Sequence, residues 1–221
     1  MRNRPILIGG ARPARHRGLT LVELLVAISV LGFVAVLGWR GLDSIVRARI
    51  ALTSDLEQTR GMQLAFAQLQ SDCAHLASPY ILPNRVPLST GPGRLTLIRT
   101  VFADNQPTRL QVIAYRVNGG VLTRRESIAT RDLRVLDAMW LTAMNDTDTS
   151  PAVVLQSDVS AMTMRLWVNG GNGWLTDIGM LTPSLNPGST ATPPALTGLE
   201  ITMMLRGREA GMLKIFLLGA V

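Results

Sequence analysis

Residues 17–39 read RGLTLVELLVAISVLGFVAVLGW, and this stretch decides how the rest of the chain is placed. No residue from Leu24 to Trp39 is charged, and counted from Leu19 the apolar stretch is 21 residues long, interrupted only by Glu23. That is the length of a helix that crosses a bilayer. The Leu, Ile, Val and Phe side chains between Leu24 and Leu37 together favour insertion by roughly 3 to 6 kcal/mol, against a cost of roughly 2.5 to 3.5 kcal/mol for a carboxylate at mid-bilayer. Glu23 lies near the end of the segment, where its cost is lower, so the balance favours insertion.

Arg2, Arg4, Arg12, Arg15 and Arg17 precede the segment, with no acidic residue among them. The positive-inside rule then keeps the first 18 residues cytoplasmic and sends everything after Arg40 across. The chain has 221 residues, 47% hydrophobic and 17% charged, with a mean hydropathy of +0.25. That is long enough for a real core and too apolar for a disordered chain. Of the formal charge of +7, the leader carries +5, and the remainder has 17 basic against 15 acidic side chains. The basic signal therefore belongs to the leader, and no nucleic-acid partner is expected. A single cysteine, Cys73, and two histidines, His16 and His75, exclude an intramolecular disulfide framework and a multi-cysteine zinc site.

Three fates fit such a segment: a secretory signal cleaved after Val36-Leu37-Gly38, an uncleaved signal anchor, or a retained helix processed on its cytoplasmic side. The stretch is longer than a usual signal core, contains a carboxylate, and continues as helix without a break. The residues Arg17-Gly18-Leu19-Thr20-Leu21-Val22-Glu23-Leu24-Leu25 resemble the class III signal of type IV pilins and type II secretion pseudopilins. The resemblance implies that prepilin peptidase cuts between Gly18 and Leu19, that the new Leu19 amine is methylated, and that the helix is kept. It also implies that Glu23 serves assembly by pairing with the Leu19 amine of a neighbouring subunit. The alternative for Glu23 is a chance carboxylate at the membrane interface. Leu19 stands where the family more often has Phe or Met.

Four segments follow from this reading: a basic leader over 1–18, a membrane and assembly helix over 19–39, an amphipathic continuation over 40–77, and a β-rich domain over 78–221. Met62, Phe66, Leu69, Cys73 and Leu76 recur at helical spacing, with Ile45, Leu52 and Leu56 near the same stripe, and Pro79 and Pro83 stop the helix. Gly38, Gly41 and Gly61 permit bends. Beyond Leu95 the period becomes two, in Leu95 and Leu97, in Leu110, Val112 and Ala114, in Met162, Met164 and Leu166, and in Ile201, Met203 and Leu205. Turns are expected at Asn118-Gly119-Gly120, at Asn169 to Gly173 and at Arg208 to Gly211. About seven to nine antiparallel strands result, with residues 182–197 as a long surface loop. The expected fold is α+β and pilin-like: a long N-terminal helix, membrane-spanning in its first half, packed on a C-terminal antiparallel sheet domain.

The run Arg109 to Arg124, with its Tyr115-Arg116 pair, is similar to a strand-turn-strand of the J-type minor pseudopilins of type II secretion. Leu199 to Leu218 resembles their final hairpin, and Leu69-Gln70-Ser71-Asp72 resembles the end of their spine. The resemblance implies a structural subunit near the tip of a pseudopilus needed for export of folded exoproteins. It implies I-type and K-type minor pseudopilins and prepilin peptidase as partners, and an inner-membrane location with the C-terminal domain in the periplasm. A minor pilin of a type IV pilus, for motility or DNA uptake, is the nearest rival, although the single cysteine denies the disulfide-closed loop many such pilins have. A signal-anchored periplasmic enzyme or binding module is a rival of another class and would need a convergent site around Arg116, Glu126 and His75. No catalytic residue and no cofactor are expected. His75 reads as a packing or surface histidine and Cys73 as a small buried hydrophobe, while Asp146 and Asp148 are weak calcium candidates that lack the glycine and terminal glutamate of a complete loop.

Overall fold

The computed structural model describes residues 18–169, 173–176 and 196–219. Two compact units divide inside the first helix, between Ser54 and Asp55. That helix, α1, is Leu21–Ala74. In the first unit its apolar side chains from Leu21 to Leu37 are all exposed, with no partner to cover them within the unit. The hydroxyl of Ser29, set among them, donates to the Leu25 carbonyl at 2.8 Å, so it is not left bare on an apolar surface. Asp43 and Arg47 form an i,i+4 pair at 2.7 Å, where charge returns to the sequence.

In the second unit α1 buries Met62, Ala65, Phe66, Leu69, Asp72 and Cys73. Ile45, Leu52 and Leu56, expected on the same stripe, are exposed at 67%, 61% and 62%, so burial begins only at Met62. After α1 a short 3-10 turn, Pro79–Ile81, leads into a five-stranded antiparallel sheet in the order β1-β2-β3-β4-β5. Its strands are β1 Leu88–Gly91, β2 Arg94–Ala103, β3 Gln106–Asn118, β4 Val121–Glu126 and β5 Val153–Gln156. A second antiparallel sheet, ordered β7-β6-β8-β9, comprises β6 Val159–Val168, β7 Trp174–Leu175, β8 Leu196–Leu205 and β9 Met212–Leu217. The described residues thus hold nine strands, in two sheets rather than one. The main core joins the buried stripe of α1 to Leu95, Leu97, Ile113, Tyr115 and Leu122 of the first sheet and to Met162, Leu166, Leu199, Ile201 and Phe216 of the second.

The β3–β4 turn falls on Gly119 and Gly120, with φ of +60° and +85°, the paired positive values that a two-residue hairpin of right-handed twist requires. Residues 206–211, which include the expected turn at 208–211, join β8 to β9. Residues 170–172 of the expected Asn169–Gly173 turn lie outside the described residues, as do residues 182–195 of the expected loop, while Thr197 is already part of β8.

One element contradicts the period-two reading. Helix α2, Leu133–Met144, is capped by Asp132, whose side chain accepts from Arg134 N at 2.8 Å. It covers the other face of the first sheet, and a second core forms from Leu136, Ala143, Ile98, Leu110, Val112 and Ala114. β3 is therefore buried on both faces, and its alternating residues divide between two cores instead of between core and water. Arg85 ties α2 down through Asp137, at 2.7 and 2.9 Å, and this hydrogen bond holds the Asp137 carboxyl below its usual range.

Gly61 serves a close approach rather than a bend. A Cβ there would lie 2.0 Å from Oε1 of the buried Gln156 on β5. Gly61→Val is expected to destabilise the protein by about 1–3 kcal/mol through overpacking. Adding Gln156→Ala should recover part of that loss. Urea unfolding of the detergent-solubilised chain measures both.

Candidate functional site

Gly18, Leu19 and Thr20 precede α1, and all three are exposed. Thr20 and Glu23 close the first turn reciprocally. Thr20 N and Oγ1 each donate to Glu23 Oε2 at 3.0 Å, and Glu23 N donates back to Thr20 Oγ1 at 3.3 Å. This is a capping box, and it answers first-turn amides that would otherwise have no partner. Thr-x-x-Glu is the sequence signature of that arrangement, so the motif Thr20-Leu21-Val22-Glu23 carries a capping role beside the assembly role that the resemblance implies.

At the other end of α1 stands a group that no sequence motif marks for chemistry. Asp72 is fully buried. Its carboxylate accepts from Arg99 Nη1 at 2.7 Å, from Arg124 Nε at 2.8 Å and Nη2 at 3.1 Å, from Gln68 Nε2 at 3.3 Å, and from the Tyr115 hydroxyl. One residue of the helix is thereby joined to β2, β3 and β4. Register explains the convergence: Tyr115 and Arg124 are direct cross-strand partners, and so are Arg99 and Gln111, whose Oε1 accepts from Arg99 Nε at 3.1 Å. Glu126, two residues along β4 on the same face, accepts from Arg124 Nη1 at 2.7 Å. Burial works against the Arg124 charge, but the hydrogen bond and charge of Asp72 outweigh it and hold the guanidinium above its usual value. Burial, then the Asp72 charge, push the Tyr115 hydroxyl well up, so it remains a donor.

The other residues singled out in the sequence are not brought together. Arg116 lies on the opposite face of β3 from Tyr115. It donates to the Ala143 carbonyl at the end of α2, to Leu95 O at 3.2 Å, to Thr96 Oγ1 at 3.1 Å and to Tyr115 O at 2.9 Å, and it pairs with Asp146. Glu126 belongs to the Asp72 side, and His75 Nδ1 lies 2.8 Å from the Ser71 carbonyl. The convergent Arg116-Glu126-His75 site is thus divided by the sheet. Asp146 faces two guanidiniums, those of Arg94 and Arg116, and Asp148 accepts from Ser150 N at 2.8 Å in a local turn. Two adjacent cations disfavour calcium at Asp146. Cys73 is buried on the α1 stripe, and burial followed by the neighbouring Asp72 charge pushes its thiol up to about 12.

The family model of the prokaryotic N-terminal methylation motif matches residues 13–39. The match contains Gly18, Leu19, the capping box and the apolar stretch. Among curated proteins no relative matches the chain. The motif is that of type IV pilin-like proteins, a structural class processed by prepilin peptidase and assembled with its own kind. The α+β architecture, one long apolar N-terminal helix followed by antiparallel sheets, agrees with it, and that helix has the length and composition of a single-pass anchor.

Asp72→Ala should cost about 3–5 kcal/mol, because it takes from the buried Arg124 and the half-buried Arg99 the one buried carboxylate that both face. Tyr115→Phe removes one hydrogen bond to a charged group and should cost about 1.5–3 kcal/mol. Denaturant titration of each variant checks these values. The folded thiol of Cys73 also holds its proton more tightly than the unfolded one, so the folded state binds more protons in the alkaline range. Its contribution is complete below about 8.5, the ordinary thiol value, and is lost as pH rises toward about 12. Iodoacetamide at pH 8.5 should label Cys73 only after unfolding, as intact mass will show.

Proposed function

We propose that this chain is a minor pseudopilin of a type II secretion system, of the J type, positioned near the tip of the pseudopilus. The observation that carries the reading is the junction at residues 17–23: a basic leader, Gly18, Leu19, and Glu23 five positions after the glycine, opening an apolar helix that runs on into a folded unit. A leader cut on the cytoplasmic side leaves that helix attached, and an exposed apolar helix requires lipid or other helices around it. The five leader arginines orient the second unit to the periplasmic side of the inner membrane.

Prepilin peptidase cleaves between Gly18 and Leu19 in this reading, and the Leu19 amine is methylated. Glu23 pairs with the amine of a neighbouring subunit, which sets the stagger of packed helices. The I-type and K-type minor pseudopilins are the partners in the tip complex. The J-type choice is supported by the Arg109–Arg124 hairpin and the Leu199–Leu218 ending, which are β3–β4 and β8–β9, and by the lone cysteine, buried and without a partner.

Intact mass of the membrane-extracted protein should correspond to a start at Leu19 plus one methyl group; a start at Met1 or Trp39 would refute the processing. An in-frame deletion in the native host should trap exoenzymes in the periplasm while twitching and DNA uptake stay normal. Normal secretion with lost motility or uptake would instead make the protein a type IV minor pilin.

A further inference from the structure

The stripe by which α1 meets the sheets holds little positional information. Met62, Ala65, Phe66, Leu69 and Cys73 are buried. A shift of one turn brings Phe66 to the place of Met62, Leu69 to that of Ala65 and Cys73 to that of Leu69, and in either direction it sets a single glutamine in the stripe, Gln70 at the place of Phe66 or Gln58 at that of Met62. Patterns of this kind admit neighbouring registers at the cost of one mismatch, as in helical assemblies whose register stays open until one polar residue settles it. The bonds beyond the helix, Ala77 N to Ile98 O at 2.8 Å and Thr100 N to His75 O at 2.9 Å, use backbone groups that every register offers. Gly61 marks the helix sterically, but the atom it faces is the tip of a glutamine side chain, which can turn away.

Asp72 is different because it is the one buried acid of α1, and its environment is specific. The guanidiniums of Arg99 and Arg124 and the hydroxyl of Tyr115 come from three strands and meet one carboxylate. A one-turn displacement would put Gln68 or Leu76 there, leaving two cations facing an amide or a hydrocarbon.

We propose that Asp72 is the register pin of α1, the residue that fixes how far along the helix the first sheet is held. Apolar burial supplies attraction in any register, and the carboxylate selects one. The consequence for assembly rests on the pilin-like reading: within the second unit, the pin determines which turn of the helix carries the sheets.

The test uses the full chain in detergent, with nitroxides at Leu64→Cys and Asp104→Cys, both exposed, while buried Cys73 stays unlabelled. Pulsed electron resonance should give one distance for the otherwise native protein. The quadruple variant Asp72→Leu, Arg99→Leu, Tyr115→Phe, Arg124→Leu removes the cluster as a whole and leaves neither an unpaired cation nor an orphaned hydroxyl. It should fold and show a second distance population, displaced by about 5 Å, one helical turn. Asp72→Leu with Gln68→Asp moves the carboxylate back one turn and should give a single displaced population. A single native distance in both folded variants would overturn the proposal. So would failure of the quadruple variant to fold, since the cluster would then supply stability and not register. The measurement is made on the isolated subunit, so its result is independent of whether deletion of the protein affects secretion or motility.

Discussion

A carboxylate denied water has to be answered by charge, and the whole second unit is arranged around one such answer. Asp72 is fully buried, and Arg99, Arg124 and Tyr115 reach it from three consecutive strands. Removing a single partner leaves an uncompensated ion, whereas replacing the whole group by hydrocarbon need not destabilise at all. The cluster therefore contributes less to net stability than to specifying which helix face, and which turn of it, meets the sheet. Its neighbours follow from it: Tyr115 must point toward α1, so Arg116 must point away, and Arg116 then closes the end of α2 by donating to the Ala143 carbonyl.

This alternation along β3 explains why the unit needs two cores. One face of the first sheet packs on α1 and the second sheet, the other on α2. A strand buried on both sides reads as an apolar run, not as alternation. In Leu110-Gln111-Val112-Ile113-Ala114-Tyr115-Arg116, every side chain is buried and the polar ones are held by specific partners.

Much of this was legible in the sequence where the physics is local. The apolar length after Arg17, the stripe from Met62 to Cys73 and the Asn118-Gly119-Gly120 turn depend on neighbours a few residues apart, and each takes the form its spacing implies. α2 was missed, although Asp132 offered a cap and Leu133, Leu136, Met139, Trp140 and Ala143 fall at helical spacing. Such a segment between strands resembles a loop when only period two is sought. The capping box was missed because Glu23 already had a reading. The Asp72 cluster was not accessible at all: its members are separated by 27, 43 and 52 residues, and only tertiary register brings them together. The stripe was overextended toward Ile45 because periodicity records which face is apolar, not where along the helix a covering surface begins.

The reciprocal bonds between Thr20 and Glu23 bear on how the N-terminus exchanges partners. In the single chain the Glu23 carboxylate is already satisfied by the backbone and hydroxyl of its own Thr20. For a subunit that assembles as proposed, meeting a neighbour's amine is a substitution of one set of donors for another and not the capture of a bare ion. The two end states differ in charge, because the Thr20 donors are neutral and both reach Oε2, whereas an amine brings a cation. A subunit that leaves its neighbours therefore falls back on Thr20, whose bonds keep the carboxylate's place in the first turn while its charge goes without a counter-charge.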